Sequence, residues 1–162
     1  MDAKQKQTPL LALIRLRGTV NVPSKLKDTL KMLRVERPNY MTLIPKTPEY
    51  MGMIKKVKDF VTWGEVSKET IEYILRKRGE LTGRKKLTDE YLKENTEYSS
   101  IAEFASALFE GSATLKDIPQ MKRFFRLHPP RKGFKAVKKG FAEGGDLGYR
   151  GTTINELIVR MA

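Results

Sequence analysis

The side chains with the clearest chemical character lie between Pro119 and Phe141. This stretch carries eight Lys and Arg residues and no Asp or Glu. A solvated surface helix usually pairs such cations with glutamates three or four residues away, and the prolines and glycines here interrupt any single helix. We therefore predict a structured basic surface that faces a polyanion, with nucleic acid as the leading partner. The cations are Lys122, Arg123, Arg126, Arg131, Lys132, Lys135, Lys138 and Lys139.

Phenylalanines are interleaved with these cations. Phe124 and Phe125 are adjacent, so in a strand one of them points inward and packs in the core. Phe134 lies between Gly133 and Lys135 in an irregular stretch. It is the better candidate for contact with a ribose or a base.

A second cationic set lies near the N-terminus of the chain. Spacing alone does not decide whether these side chains contact RNA or only solubilise a half-covered sheet and helix. Its members are Arg15, Arg17, Lys25, Lys27, Lys31 and Arg34. We predict RNA contacts for Arg15, Arg17, Lys31 and Arg34.

Catalytic and metal chemistry have little support in the residue inventory. The chain has no Cys and a single His, His128, which lies beside two prolines. Most zinc sites and any Ser-His-Asp site would depend on that one residue. Gly144 to Gly148 lacks the Lys-Ser/Thr ending of a phosphate-binding Walker loop. We expect no catalytic residue, no metal and no cofactor.

Composition bounds the class of protein. A net charge of +13 opposes compaction unless a counter-charge is present, whereas 40% hydrophobic residues among 162 are enough to bury a core. No apolar run approaches the length of a membrane span, and the N-terminal MDAKQKQTP has no apolar signal region. We expect a folded cytoplasmic protein with no membrane partner.

The first basic part of the chain has the pattern β-α-β-α-β. Alternating apolar residues predict strands, and leucines at helical spacing after Ser24 predict a helix that ends before Pro38. Thr47 and Pro48 form the start of the second helix. The predicted strands are Leu10 to Arg17, Tyr40 to Ile44 and Phe60 to Val66.

Three short helices are expected in the near-neutral middle of the chain. Ser67, Thr88 and Ser100 are their predicted N-caps, and Gly79 and Gly111 their predicted ends. A short strand around Phe124 to Leu127 and a Gly-rich turn region from 140 to 151 follow. Thr153 and Glu156 predict a capping box that opens a last helix.

Several motifs, in their order along the chain, resemble the L30 family of large-subunit ribosomal proteins, called L7 in its eukaryotic branch. They are Ile14-Arg15-Leu16-Arg17-Gly18, Asn21 and Pro23, Leu30 to Arg34, Gly52-Met53-Ile54, Val61 to Gly64, Arg76 to Gly79, Phe125-Arg126-Leu127, Gly144 to Gly148 and Ile154 to Leu157. The length of the chain is similar to the archaeal and eukaryotic branch, and the short N-terminal segment to the archaeal one.

The resemblance implies an α+β fold with a ferredoxin-like split β-α-β core and a three-stranded antiparallel sheet. Residues 1–66 would form this core, and residues 67–162 a helical and basic-loop extension packed on it. The implied function is structural: binding of 23S-type ribosomal RNA, near the 5S RNA, beside neighbouring ribosomal proteins. Two alternatives stay open, an RNA-binding regulator or chaperone outside the ribosome, and an acyl-phosphate hydrolase on a similar fold that would use Arg17 and Asn21.

Overall fold

A split β-α-β unit forms the first part of the fold in a computed structural model that describes residues 9–162. The N-terminal segment discussed above lies almost entirely outside those residues. The elements follow the predicted order: β1 Leu10–Arg15, α1 Ser24–Met32, β2 Tyr40–Pro45, α2 Pro48–Lys56 and β3 Val61–Glu65. Strand β1 pairs antiparallel with β2 on one side and with β3 on the other. Strands β2 and β3 are therefore parallel to each other, joined by α2, with β1 inserted between them.

The sheet has five strands, in the order β4-β2-β1-β3-β5, and is wider than the three-stranded sheet predicted above. Strand β4, Phe125–Arg126, pairs antiparallel with β2, and strand β5, Gly148–Tyr149, pairs parallel with β3. Both added strands come from the C-terminal part of the chain and have two residues each. The three central strands are antiparallel, as expected, and the fold class α+β is confirmed.

The middle of the chain forms the three helices predicted from their caps: α3 Lys68–Arg78, α4 Asp89–Asn95 and α5 Ile101–Glu110. The hydroxyls of Ser67, Thr88 and Ser100 each accept a hydrogen bond from the backbone N–H three residues on. Gly111 ends α5 in the left-handed conformation, with φ of 81°. These local signals were sufficient because a cap needs only its own first turn.

The last helix, α6 Ile154–Met161, begins differently from the prediction. No side chain caps it, and the Thr153 hydroxyl donates to the Arg150 carbonyl instead. A 3-10 turn over Gly151–Thr153 leads directly into the helix. The predicted capping box is wrong because this turn already directs the chain into helical geometry.

Helices cover both faces of the sheet. On one face α1 and α2 pack over Leu11, Leu13 and Trp63. On the other, α3, α5 and α6 bury Ala12, Ile14 and Met41. Strand β1 is consequently buried on both faces, although its sequence suggested one apolar face and one with a basic end. None of the helices that the structure describes has the length and apolar character needed to cross a bilayer.

Candidate nucleic-acid interface

A polar groove lies where the loop after α1, strand β2 and the start of β4 meet. It has a volume of about 580 Å³ and is lined by five arginines, a single glutamate, Glu36, and two aromatic residues, Tyr40 and Phe124. We call it the arginine groove. Its arginines are Arg34, Arg37, Arg84, Arg123 and Arg126.

Arg34 reaches the groove because of how α1 ends. The N–H groups of Arg34 and Val35 donate to the carbonyls of Lys31 and Leu30, which is the bonding pattern of a Schellman motif. Arg34 therefore takes the left-handed position that glycine normally occupies, with φ of 62°. An L-residue is disfavoured there, so the side chain is kept at a conformational cost.

Arg84 comes from a tight hairpin in the near-neutral middle of the chain, for which the sequence predicted no RNA contact. Glu80 bridges to Lys86, and the Leu81 N–H donates to the Lys85 carbonyl. Gly83 and Arg84 at the tip both have positive φ, 81° and 62°. Two consecutive positive φ values are typical of a type I′ hairpin turn, which usually prefers Asn or Gly at these positions.

The aromatic residues form one wall of the arginine groove. Tyr40 and Phe124 stack with their ring centroids 4.9 Å apart and their planes 12° from parallel. The Arg126 guanidinium lies 5.9 Å from the centroid of the Phe124 ring. Phe125, the next residue, is fully buried, so one of the two adjacent phenylalanines packs in the core as predicted.

The electrostatics of the arginine groove favour an anionic ligand. Burial lowers the pKa of Arg34, and the nearby charge of Arg123 lowers it further. Tyr50 opposes these effects by raising the pKa, and the Arg123 contribution shows that the two guanidiniums repel each other. A phosphate placed between these guanidiniums would supply a counter-charge in bidentate geometry.

Two of the cations in the acid-free stretch are balanced by a residue distant in sequence. Lys122 Nζ lies 2.9 Å from Glu80 Oε1, and Arg126 Nε lies 3.8 Å from Glu80 Oε2. The prediction of eight uncompensated cations is therefore corrected. The hairpin that carries Arg84 also delivers this carboxylate, since the Lys122 N–H donates to the Glu80 carbonyl.

Apart from Arg123, which lines the arginine groove, the remaining cations of the stretch lie on an exposed loop, which we call the basic loop. Its members are Arg131, Lys132, Lys135, Lys138 and Lys139. The loop is fastened at two points. The Arg160 guanidinium donates to the carbonyls of Arg131 and Gly133. The buried Asp146 accepts from the Ala136 N–H at 3.0 Å and from Arg150 at 3.3 Å.

Phe134 is half-buried and packs against the larger of the two core clusters. Part of its ring is therefore committed to packing, which reduces the surface available to a ribose or base. The RNA contact predicted for Phe134 stays a prediction for its exposed part.

Arg15 does not lie at the surface. It is 2% exposed, and its guanidinium donates to the carbonyls of Arg17, Val35, Glu36 and Gly18. The RNA contact predicted for Arg15 is corrected: the side chain fastens the loop after α1 and the loop after β1 to the end of the first strand. The sequence could not reveal this because two of the acceptor carbonyls come from residues distant along the chain.

Arg17 and Lys31 remain accessible. Arg17 lies 5.3 Å over the Phe60 ring and donates to the Asp59 carbonyl, while Lys31 is exposed on the last turn of α1. The two ring nitrogens of His128 lie 2.7 and 2.8 Å from the backbone oxygens of Pro129 and Ala162, and the tautomer decides which nitrogen donates. No cluster of potential metal ligands occurs within residues 9–162.

Three residues of the arginine groove were missed from the sequence: Arg37, Arg84 and Tyr40. The run Gly83-Arg84-Lys85-Lys86 was a detectable basic signal, but residues 67–110 as a whole are near-neutral, with nine Asp and Glu against eight Lys and Arg. Tyr40 was assigned to a strand without a surface role. Only the tertiary fold brings these residues to Arg34, Arg123 and Arg126.

An α+β fold with helices on both faces of its sheet, which gathers arginines and stacked aromatics at one sheet edge, has the features of a protein that binds phosphate-rich polymers. Comparison with known proteins specifies the family. The family model described as Ribosomal protein L30p/L7e matches residues 11–61.

Full-length relatives extend that match. The chain is 53% identical over 152 residues to the large ribosomal subunit protein uL30 of Archaeoglobus fulgidus, covering 94% of this chain and 99% of that protein. It is 51% identical over 152 residues to the uL30 of Methanocorpusculum labreanum, with the same coverage. For the uL30 of Nanoarchaeum equitans, identity is 52% over 153 residues, covering 93% and 97%. The chain belongs to the L30 family of ribosomal proteins.

Proposed function

We propose that this chain is a structural constituent of the large ribosomal subunit, acts in translation as part of the cytoplasmic ribosome, and holds ribosomal RNA in the arginine groove. The family membership supports the ribosomal role. The observation that carries the RNA site is the convergence of five arginines from three separated segments beside one glutamate. Within this role the chain performs no catalysis.

Two of the five arginines occupy backbone conformations that disfavour L-residues. Arg34 and Arg84 both have φ of 62°, at positions where glycine or asparagine would be more stable. Local strain of this kind often accompanies function, because selection for a side chain can outweigh its conformational cost. Both side chains line the same groove, which is what a requirement for the guanidinium groups would produce.

The chemistry of the groove suits backbone recognition of folded RNA. Guanidinium groups bind phosphate oxygens in pairs, and the outer faces of Tyr40 and Phe124 offer apolar surface for a sugar or an unstacked base. Phosphate contacts position a protein without reading sequence, so the shape of the RNA would decide where it binds. The basic loop, Arg17 and Lys31 supply further phosphate contacts around this site.

The experiment is a filter-binding measurement with large-subunit ribosomal RNA over a series of salt concentrations. Arg34→Gly and Arg84→Gly remove the guanidiniums while relieving the left-handed strain, so the folded state should be retained or stabilised. Each should weaken RNA binding and reduce the salt slope by about 1 for every phosphate that is no longer bound. The matched control is Lys93→Ala, which removes one exposed charge from α4 and belongs neither to the arginine groove nor to the basic loop.

A second variant set tests the basic loop. Changing Arg131, Lys132 and Lys135 together to Ala should lower both the affinity and the salt slope. An unchanged slope in the glycine variants would reject the arginine groove as the RNA site, and an unchanged slope in the triple variant would reject the loop. Failure of the wild-type chain to sediment with large subunits would argue for the regulator or chaperone alternative.

A finer assignment concerns the RNA itself. We propose 23S-type RNA near the 5S RNA as the ligand, supported by the family resemblance. Hydroxyl-radical cleavage from an iron chelate placed at position 132 in assembled subunits would map the neighbouring nucleotides. Cleavage confined to regions remote from the 5S RNA would contradict this placement.

A further inference from the structure

A second groove runs along the outer edge of β2, next to the arginine groove. Its volume is about 620 Å³, and we call it the edge groove. Strand β2 forms its floor over Thr42 to Pro45. The end of α1 forms one wall, and the end of α5 with the turn after it forms the other.

The floor of the edge groove is an unpaired strand edge. Strand β4 pairs with β2 only at Tyr40 and Met41. The Thr42 hydroxyl donates to the Arg123 carbonyl at 3.2 Å, and the segment before β4 does not pair with Leu43. The Lys46 N–H donates to the Pro9 carbonyl on the β1 side. Because hydrogen bonding alternates along an antiparallel strand, the even-numbered residues of β2 bond towards β1 and the peptide groups of Leu43 face the groove.

The walls of the edge groove combine apolar residues, most of them nearly buried, with polar ones. Leu33, Ile44 and Tyr50 line the side towards α1, and Leu43, Leu108 and Leu115 the side towards α5. Met32 at the rim is 63% exposed. Apolar walls on both sides of a free strand edge are the arrangement into which extended peptides bind as an added strand.

Charge distinguishes among the possible occupants. Three cations line the edge groove, Arg34, Lys116 and Arg123, against one carboxylate, Glu110. The net positive rim excludes a basic segment and favours carboxylates. The apolar walls and strand floor offer RNA few partners, whereas the neighbouring arginine groove offers it guanidiniums and stacked rings.

We propose that the edge groove binds an extended segment of a neighbouring protein that alternates apolar and acidic residues and pairs with β2 at Leu43. Its apolar side chains enter between α1 and α5, and its carboxylates lie near Lys116 and Arg123. Only the identity of the neighbour as a subunit protein rests on the proposed function. Arg34 and Arg123 line both grooves, so the RNA and the peptide would bind side by side.

The test uses the full chain and a defined probe, the fluorescein-labelled peptide Val-Glu-Val-Asp-Val-Glu. Titration followed by anisotropy should give saturable binding, and NMR should place the amide shifts at Leu43, Ile44 and the turn after Gly111. A peptide N-methylated along one edge keeps its side chains and loses strand pairing. It should bind about tenfold more weakly or not at all.

Charge and shape variants complete the design. Met32→Glu and Lys116→Glu should each lower the affinity for the peptide several-fold. Lys93→Glu, on α4 outside the groove, should leave that affinity unchanged. Lys116→Glu should leave RNA affinity intact, since Lys116 does not line the arginine groove. If the wild-type chain binds RNA but does not bind the peptide, the edge-groove proposal is rejected and the proposed RNA-binding function is not affected.

A second readout examines the assembled subunit. A photoreactive amino acid at position 32 should crosslink to a protein segment with acidic and apolar residues, whereas one at Val159 on α6 should not reach that segment. A crosslink from position 32 to RNA, or to a second copy of this chain, would overturn the proposal. So would equal binding of the N-methylated and unmodified peptides.

Discussion

Arg15 stabilises the fold, although its position in the sequence suggested a contact with RNA. Its guanidinium donates four hydrogen bonds to backbone carbonyls and is almost completely buried. Burial lowers its pKa from the ordinary value, and the guanidinium stays charged because arginine is not deprotonated in proteins. We predict that Arg15→Lys lowers the free energy of unfolding by about 2–4 kcal/mol, because one ammonium cannot satisfy four separated acceptors.

Urea denaturation of Arg15→Lys measures this change directly. Arg17→Lys is the matched control, since Arg17 makes one long hydrogen bond at 3.4 Å to the Asp59 carbonyl and should lose little stability. RNA affinity measured where both proteins remain folded should fall for Arg17→Lys more than for Arg15→Lys. The reverse order would restore Arg15 as an RNA contact.

The Tyr149 hydroxyl lies 2.8 and 2.7 Å from the two oxygens of Glu65. Burial raises the pKa of Glu65, but the bond from Tyr149, a backbone bond and the charge of Lys46 outweigh it, so the pKa lies below its ordinary value. A lowered carboxyl pKa stabilises the fold above the ordinary pKa, and this stabilisation is lost as the pH falls through the folded value.

Tyr149→Phe should therefore cost about 0.5–1 kcal/mol at pH 7, with the loss shrinking once acid protonates Glu65. Urea denaturation at pH 7 and pH 3 measures both values. Tyr91→Phe is a neutral counterpart, because the Tyr91 hydroxyl donates to the Pro119 carbonyl at 2.7 Å. Its cost should not depend on pH over this range. A pH-independent loss in Tyr149→Phe would contradict the assigned cause.

The role of a residue could be predicted from the sequence when its hydrogen-bond or ion-pair partner lies within a few residues along the chain. It could not be predicted when that partner is distant in sequence. The caps at Thr47, Ser67 and Ser100 were found because each hydroxyl bonds within its own helix turn. The Glu80 to Lys122 pair joins residues 42 positions apart, so no pattern in the stretch around Lys122 could indicate it. Most residues of the arginine groove likewise come together from positions that are distant in sequence.

At the scale of elements, the turn that leads into α6 packs against β3 through a close approach of two backbones. A Cβ added to Gly64 on β3 would lie 2.0 Å from the Gly151 carbonyl oxygen, at the turn that leads into α6. We predict that Gly64→Ala destabilises the fold by about 1–3 kcal/mol, because backbone must shift to admit the methyl group. Thermal denaturation gives the difference.

Gly52→Ala provides the opposite expectation within the same protein. Gly52 lies in the interior of α2, and nothing lies within 4 Å of its added Cβ. Alanine there should raise the free energy of unfolding by about 0.5–1 kcal/mol through helix propensity. If both substitutions shifted stability in the same direction, the close packing at Gly64 would not be what holds α6 against β3.

The three central strands were predictable from alternation, whereas the two outer strands were not. β5 has two residues in a Gly-rich region that read only as a turn, and it exists because β3 offers an edge for pairing. The β4 prediction extended over Phe124 to Leu127, but the strand is limited to Phe125–Arg126. Short edge strands are determined by tertiary contacts and carry little periodic signal of their own.

At the scale of the whole molecule, one sheet supports both basic surfaces, the arginine groove and the basic loop. One core cluster lies under α1 and α2, and the other under α3, α5 and α6. The C-terminal part supplies strands to both outer edges of the sheet formed by the N-terminal part. The arginine groove lies at one of these junctions, which is why neither part alone contains it.

The net charge of +13 implies opposite salt dependences for folding and for RNA binding. In the free protein, like charges repel and salt screens the repulsion, so the unfolding temperature should rise between about 50 and about 300 mM salt. RNA affinity should fall over the same range, because each phosphate contact releases counterions. Engagement of the five groove arginines predicts a log–log slope of about −4 or steeper.

Calorimetry on the free chain and filter binding with ribosomal RNA, in the same buffers, measure both trends. Arg34→Gly combined with Arg84→Gly should make the RNA slope shallower by about 2, and it should weaken the salt dependence of the unfolding temperature because two repelling charges are gone. Lys93→Ala should leave the RNA slope unchanged. RNA binding that persists undiminished at high salt would mean that apolar contact, and not the arginine groove, holds the RNA.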